Sequence, residues 1–264
     1  MNAGTKQWAL VLGASSGFGA ATSRAMASRG IHVCGVHLDR RSTIASAVAT
    51  REACEASGVE TLFFNSNAAD PDKIREVMDA LAARCEPGCL RVLFHSLAFG
   101  ALVPLVGENA KASATAAQLA MTLDVMAGSL VPWTQEAVFR GLAGRGTRIF
   151  AMTSAGSARA MPSYGMVSAA KAALEALVRQ LAVELGPRGI TVNALRAGVT
   201  DTPALRKIPG HDHMMELATR LNPGGRLTRP DDVAGLVSLL LEPQASWVSG
   251  SVIAVDGGED VSAS

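Results

Sequence analysis

Short apolar runs alternate with helix-forming segments along almost the whole chain, and this alternation limits the fold more than any other feature. Apolar runs lie at 7–12, 31–36, 59–64, 90–94, 148–152, 190–195 and 251–255. Each is too short for a core helix and too continuously apolar for a half-exposed strand, which is the pattern of strands buried on both faces of a parallel sheet. Between them, 20–28, 42–57, 71–84, 113–142, a stretch from Tyr164 to about Pro187, and 230–241 have helical composition. Pro71 opens the third of these, and Pro132 predicts a kink in the fourth. Strand and helix in strict succession require crossover connections. The chain therefore reads as α/β, a single doubly wound, seven-stranded parallel sheet of the Rossmann type with helices on both faces. At 264 residues and 48% hydrophobic content it can bury the core of one such domain, 1–264, with no repeat or linker. The loop-rich stretch after strand six holds a candidate substrate lid at about 199–225, with the flexible pair Met214-Met215. An amphipathic surface helix with two core methionines reads that segment equally well.

Charge excludes several classes of partner. Lysine and arginine number 24 against 23 acidic residues, with no run of either sign, so neither a nucleic acid nor a membrane surface is expected as a partner. The first apolar run is not preceded by the layout of a signal peptide, and no uninterrupted apolar run reaches about 18 residues, so a cytoplasmic protein is expected. Cys34, Cys54, Cys85 and Cys89 form no metal-ligand spacing and are expected as reduced thiols. His211 and His213 lack a third ligand, so no metal is expected.

Gly13-Ala14-Ser15-Ser16-Gly17-Phe18-Gly19 joins the first strand to the first helix. Glycines are needed where backbone turns sharply beside a pyrophosphate, whose charge the helix N-terminal amides then face. His37, Asp39, Arg40 and Arg41 leave the end of the second strand. An NAD site wants an acidic residue at the strand tip, whereas a 2′-phosphate prefers basic neighbours, so this order favours NADPH. Simple solvation of the two arginines is the alternative. His95-Ser96-Leu97-Ala98-Phe99-Gly100 ends the fourth strand with small residues against which a planar cofactor could lie.

Tyr164 is the sole tyrosine, and Lys171 follows it by two helical turns. If Ala169, Ala172, Ala173, Ala176, Leu177 and Leu181 mark the buried face, Tyr164 stands at the helix mouth and Lys171 deeper along it. A neighbouring ammonium would make the phenol a better acid, as protonation of a developing oxyanion requires. A satisfied interfacial tyrosine and a solvated lysine are the alternative.

Gly13, Gly17 and Gly19, Ser154 ten residues before Tyr164, the lysine after it, Asn193-Ala194 and Asp256-Gly257-Gly258 together resemble the short-chain dehydrogenase/reductase superfamily over essentially the whole length. Most members carry Tyr-x3-Lys. Here Ser168 takes that lysine's place, and the Tyr-x6-Lys spacing resembles that of the enoyl-acyl-carrier-protein reductases. The 95–99 turn is similar to their His-Ser-Ile-Ala-Phe, where ordinary members carry Asn-Asn-Ala-Gly. Stretches 158–164, 168–177, 201–205 and 222–226 are similar to the NADPH-dependent branch known as FabL. The asparagine that ketoreductases place in the fourth helix is missing from Leu123-Asp124-Val125-Met126.

The resemblance implies NADPH-dependent reduction of the trans-2 double bond of an enoyl thioester in fatty acid synthesis, on acyl carrier protein, by a homotetramer built through the fourth and fifth helices. Hydride would reach the β-carbon while Tyr164 stabilises the enolate oxygen. Lys171 would hold the nicotinamide ribose, and Ser154 is a weaker catalytic candidate. Gly13, Ser15, Ser16, Gly17, Phe18 and Gly19 would line the pyrophosphate; His37, Arg40 and Arg41 the adenosine phosphate; Asn67 and Ala68 the adenine; Ser96, Leu97 and Ala98 the ribose side. Gly198, Thr200 and Thr202 would meet the carboxamide and pyrophosphate, and Phe99, Met161 and Leu205 the substrate. Related NADPH enzymes often carry a basic residue where Ser16 stands, which keeps NADH open. A 3-oxoacyl or carbonyl reductase, or a noncatalytic NADP-binding regulator, are the competing functions.

Overall fold

The computed structural model describes residues 6–262. Among them, seven strands form one parallel sheet: β1 (Trp8–Leu12), β2 (His32–His37), β3 (Thr61–Asn65), β4 (Leu90–His95), β5 (Ala143–Thr153), β6 (Thr191–Ala197) and β7 (Val252–Val255). The order is β3-β2-β1-β4-β5-β6-β7, a Rossmann-type α/β fold. The helices are α1 (Gly17–Ser28), α2 (Ile44–Glu55), α3 (Pro71–Ala82), α4 (Ala116–Leu123), α5 (Leu130–Phe139), α6 (Gly165–Leu185), α7 (His211–Leu221) and α8 (Pro230–Leu240). Pro71 and the Asp70 side chain start α3, the carboxylate accepting from the amides of Asp72 and Lys73.

Alternation along β1 builds two cores. Trp8, Leu10 and Leu12 pack with α3, α5 and α6, and Ala9 and Val11 with α1 and α8. Because β1 pairs with β2 on one side and β4 on the other, the chain winds outward in both directions from that pair. The crevice lies beyond the C-terminal ends of β1 and β4.

Four expectations need correction. The interruption in the 113–142 segment comes before Pro132, at a π turn, Asp124–Gly128, where the Ser129 amide donates to Asp124 O at 2.8 Å. Pro132 has no amide to give the Gly128 carbonyl, and the wider turn one residue upstream takes up the change of register. On α6 the buried residues are Met166, Val167, Ala170, Lys171, Leu174, Val178, Leu181 and Leu185, while Ala169, Ala172 and Ala176 are exposed. The larger side chains cover the sheet, and of the predicted face only Leu181 is buried. Third, β5 starts five residues early, because Ala143 pairs with Leu90 before an irregularity restores pairing at Arg148 and Val92. Finally, Cys85 and Cys89 form a disulfide, since the turn after α3 returns the chain to a Cα separation of 6.0 Å. Cys34 and Cys54 are free and buried, their thiols pushed up to about 12 and about 11 by burial.

Arg91, near the N-terminal end of β4, and Arg148, midway along β5, are buried. Arg91 donates to the carbonyls of Gly146 and Leu241, and Arg148 Nε to Leu240 O at 3.2 Å, so both guanidiniums cap the C-terminus of α8. The segment read either as a flexible lid or as an amphipathic helix holds α7, whose Met214 and Met215 are half-buried. By length and composition 110–139 could cross a membrane, with mean hydropathy 1.3 and 28% of the window buried.

Candidate active site

The glycine loop is shaped by contact. Gly13 has φ +89°, and a Cβ there would lie 2.3 Å from Ser96 O; one on Gly19 would lie 2.0 Å from Gly13 O. Gly17, at φ +53°, faces Thr202 Cγ2 at 3.3 Å from its would-be Cβ. The loop therefore closes against the ends of β1 and β4 and the loop after β6. Ser16 opens α1 in extended conformation without a side-chain cap, and Ser15 and Phe18 are half-buried beside it. Uncapped amides at the start of α1, beside a loop whose glycines let its backbone pack this closely, fit the pyrophosphate of a dinucleotide.

Around the tip of β2, His37 is buried with Nδ1 2.9 Å from Asp39 Oδ2, while Arg40 and Arg41 are exposed. Asp39 is fixed through its backbone to the Asn65 amide at 2.9 and 3.0 Å. His37 is thus engaged by Asp39, and the exposed cations beside this pair are the arginines. Asn67 is exposed and accepts from the Ala69 amide at 3.1 Å. Ala68 is buried, and its carbonyl receives Trp133 Nε1 at 2.7 Å.

Tyr164 precedes the first turn of α6, just after Ser163, the sole described non-glycine residue with positive φ, +60°. Its ring lies flat against Gly156, where a Cβ would come within 2.6 Å of Tyr164 Cε1. It packs against the small cluster of Met126, Val167 and Ala170, as do Leu102 and Leu123. Burial raises the phenol above its usual 10, opposed by a hydrogen bond with Ser154. Ser154 Oγ also accepts from the Gly156 amide at 3.2 Å. The expectation that Lys171 makes Tyr164 a better acid fails. The amine turns to Met152 O at 2.7 Å and Leu97 O at 3.4 Å, and desolvation governs the phenol. Lys171 is itself brought down to about 8 by burial, against the field of Glu175. Glu175 in turn receives Thr153 Oγ1 at 2.6 Å.

The other candidates divide. Ser96 adjoins Gly13, Leu97 supplies its carbonyl to Lys171, and Ala98 and Phe99 are exposed at the crevice rim. Met161 packs on Gly156 beside Tyr164, its methyl 3.0 Å from where a Cβ on that glycine would stand. Leu205, within the 199–225 segment, is buried, at 9% exposure. Thr202 reaches the glycine loop, but the Thr200 hydroxyl turns back to Gly198 O at 2.9 Å. Gly198 is wedged against Thr228 and Glu259.

Against known proteins, the family model described as enoyl-(acyl carrier protein) reductase matches residues 13–259. The NADH enoyl-acyl-carrier-protein reductase FabI of Nostoc sp. is 33% identical over 201 residues, covering 76% of each chain. Cis-4-hydroxycyclohexanecarboxylate dehydrogenase of Sinomonas cyclohexanicum is 34% identical over 252 residues, covering 95% of each. A Burkholderia cenocepacia short-chain dehydrogenase solved with NADP superposes with a TM-score of 0.80 at 27% identity, covering 97% of this chain and 98% of that one. The chain belongs to the short-chain dehydrogenase/reductase family. As a short-chain dehydrogenase/reductase it is an oxidoreductase of the NAD(P)(H)-binding type. Sequence reasoning missed the supporting residues of this reductase: Gly156 under the Tyr164 ring, Glu175 beside Lys171, and the buried pair His95 and Ser129. A serine three turns into a helical segment carries no signal of that contact; the polar residue at a strand's C-terminal end does.

Proposed function

We propose that this chain is an NADPH-dependent enoyl-acyl-carrier-protein reductase, which reduces the trans-2 double bond of an enoyl thioester. The observation that carries the reading is the separation of the two polar groups: a half-buried, protonated phenol at the mouth of α6, and an amine two turns deeper bonded elsewhere. A ketone reductase needs its acid at the carbon that receives hydride. An enoyl thioester collects charge on an oxygen two carbons from the carbon that receives it, so the phenol stands farther out. A bound nicotinamide cofactor supplies the hydride. Tyr164, held by Ser154 and Gly156, donates a hydrogen bond to the enolate oxygen, worth about 3 kcal/mol by comparison with single oxyanion donors. Lys171 holds the nicotinamide ribose, the glycine loop the pyrophosphate, and Arg40 and Arg41 the adenosine phosphate, which supports NADPH over NADH. Phe99 and Met161 line the acyl path, and the 199–225 segment acts as its lid. The exposed Ala169, Ala172, Ala176, Phe139 and Val183 support a homotetramer. The thioester arrives on acyl carrier protein in the cytoplasm.

The Sinomonas relative, a dehydrogenase matched along nearly the full length, favours one second reading, a carbonyl or 3-oxoacyl reductase. Purified protein with NADPH or NADH, offered crotonyl and acetoacetyl thioesters in parallel, separates the two. Cofactor oxidation with the crotonyl thioester is expected. Oxidation with acetoacetyl thioester alone would sink the proposal.

A further inference from the structure

The chain after β7 touches three parts of the candidate site, and none of the steps above uses it. Asp256 is buried, and Gly257 at φ +61° and Gly258 at φ +86° turn the chain back toward the end of β6. The Asp256 carboxylate holds this turn, Oδ1 accepting from the Gly258 amide at 3.0 Å and Oδ2 from the Asp260 amide at 3.2 Å. Glu259 then reaches the residue that opens the 199–225 segment: its two carboxylate oxygens accept from the Val199 amide at 3.2 and 3.1 Å. Near the far end of that segment, the buried Asn222 donates to Asp256 O at 2.7 Å, and Pro223 lies 3.3 Å from where a Cβ on Gly258 would stand. Both ends of the segment are thus held at one turn. Its middle is not: every hydrogen bond and ion pair that residues 203–221 make among the described residues stays within the segment. Asp260 extends the anchor to the loop before α6. Arg159, between Ser154 and Tyr164, donates through Nη2 to Asp260 O at 2.7 Å and lies 2.8 Å from Asp260 Oδ1, while Nη2 of Arg196, near the end of β6, lies 3.1 Å from Oδ2. Asp260 Oδ1 and Arg196 Nε are buried without a hydrogen bond, so attraction of charge more than directed bonding closes this joint.

We propose that the turn 256–260 is the common hinge anchor of the lid and of the loop that carries Tyr164, with Glu259 the positioning residue for the lid and Asp260 the positioning residue for the loop. β6 ends at Ala197, so the Val199 amide lies outside the sheet ladder and needs an acceptor from elsewhere. A carboxylate supplies a stronger one than a carbonyl would. A segment bonded at both ends to one turn, and only to itself in between, moves as one body about that turn. Because Glu259 and Asp260 are neighbours in sequence, the same turn ties the placement of the lid to that of the phenol. The proposal rests on the reading of 199–225 as the substrate lid and of Tyr164 as the group that meets the enolate.

The direct test is amide hydrogen exchange of the full chain without substrate, read at Val199, across the lid and in the core of β6. Glu259→Ala should speed exchange at Val199 and through the lid about tenfold and leave β6 as in the parent, while Glu259→Gln, which keeps an acceptor oxygen, should stay within about threefold. Unchanged exchange at Val199 in Glu259→Ala, equal acceleration in both variants, or acceleration that spreads through β6 would overturn the proposal. The second arm is kinetic. Glu259→Ala should raise KM for the crotonyl thioester about tenfold with kcat within about threefold, whereas Asp260→Asn should lower kcat about fivefold with KM level. Arg159→Ala should match Asp260→Asn, and the double variant should lose no more than either alone, because both remove one joint. Losses that multiply in the double variant, or kcat and KM that change alike in Glu259→Ala and Asp260→Asn, would overturn it. If Glu259→Ala does not fold, the comparison of Asp260→Asn, Arg159→Ala and their double variant decides. Failure of crotonyl reduction leaves the exchange arm untouched and defeats the reading of the reaction, not the anchor; the kinetic arm then moves to the acetoacetyl thioester.

Discussion

Strands β4 and β5 are flanked by buried bases at both ends, and the two ends satisfy them differently. Toward the N-terminal side, Arg91 near the start of β4 and Arg148 midway along β5 donate to the carbonyls of residues 146, 240 and 241 and stitch the last turn of α8 to the sheet. At the C-terminal edge, Lys171 has one good acceptor, Met152 O at 2.7 Å, and a long one, Leu97 O at 3.4 Å, while His95 keeps an unpaired nitrogen. Burial alone does not separate structural charge from functional charge. What separates them is the partnering of buried atoms: among the described residues no buried nitrogen of Arg91 or Arg148 lacks a hydrogen-bond partner, whereas His95 Nδ1 does.

The largest expected effect lies at the C-terminal edge. Tyr164→Phe should lower kcat for enoyl reduction by about 100-fold or more while NADPH affinity and the melting temperature barely change. Arg91→Met should do the opposite. Unpairing the carbonyls of Gly146 and Leu241 should cost roughly 2–4 kcal/mol of stability, read as a fall in denaturation midpoint, with turnover per folded molecule intact. A loss of activity without loss of stability in that variant would erase the distinction between the edges.

Lys171→Met should weaken NADPH binding by about tenfold and leave stability level or higher, because it removes a buried ammonium. Its pH dependence sharpens the contrast. The folded lysine titrates at about 8, below its ordinary 10.5, so from about 8 upward the unfolded chain holds the proton better. Unfolding then takes up a proton, and this group's contribution to stability rises with pH while NADPH affinity falls through the same window. Parallel pH series of denaturation and NADPH titration on parent and Lys171→Met should differ in slope only above that point. The smallest effect belongs to the exposed arginines. Arg40→Ala with Arg41→Ala should weaken NADPH by a few-fold relative to NADH, in keeping with solvent-screened charge. An equal loss for both cofactors would remove these residues from phosphate recognition.

Much of this fold was readable because buried parallel strands must be apolar throughout, and Gly13 to Gly19 can be written few other ways. What could not be read depended on partners distant in sequence. Alanine is small enough for either side of a helix, so Ala169, Ala172 and Ala176 looked buried although Leu174 and Val178 face the sheet. Pro132 drew attention to itself, but the strain it creates is relieved at Asp124–Gly128. Gly144 and Gly146 concealed the first half of β5, since a strand carrying an irregularity resembles a turn. Tyr164 and Lys171 were evident from spacing, yet the direction of the amine was not, because it is set by a carbonyl on a strand 19 residues earlier.

The glycine loop also bears on how fast and at what thermal cost a ligand can dock. With Gly19 packed on the Gly13 carbonyl and Gly13 on that of Ser96, the cradle is already at its contact limit and has little backbone freedom left to lose. A dinucleotide meeting it would order its own phosphates but not the loop, so association would proceed as the docking of a flexible guest on a rigid host.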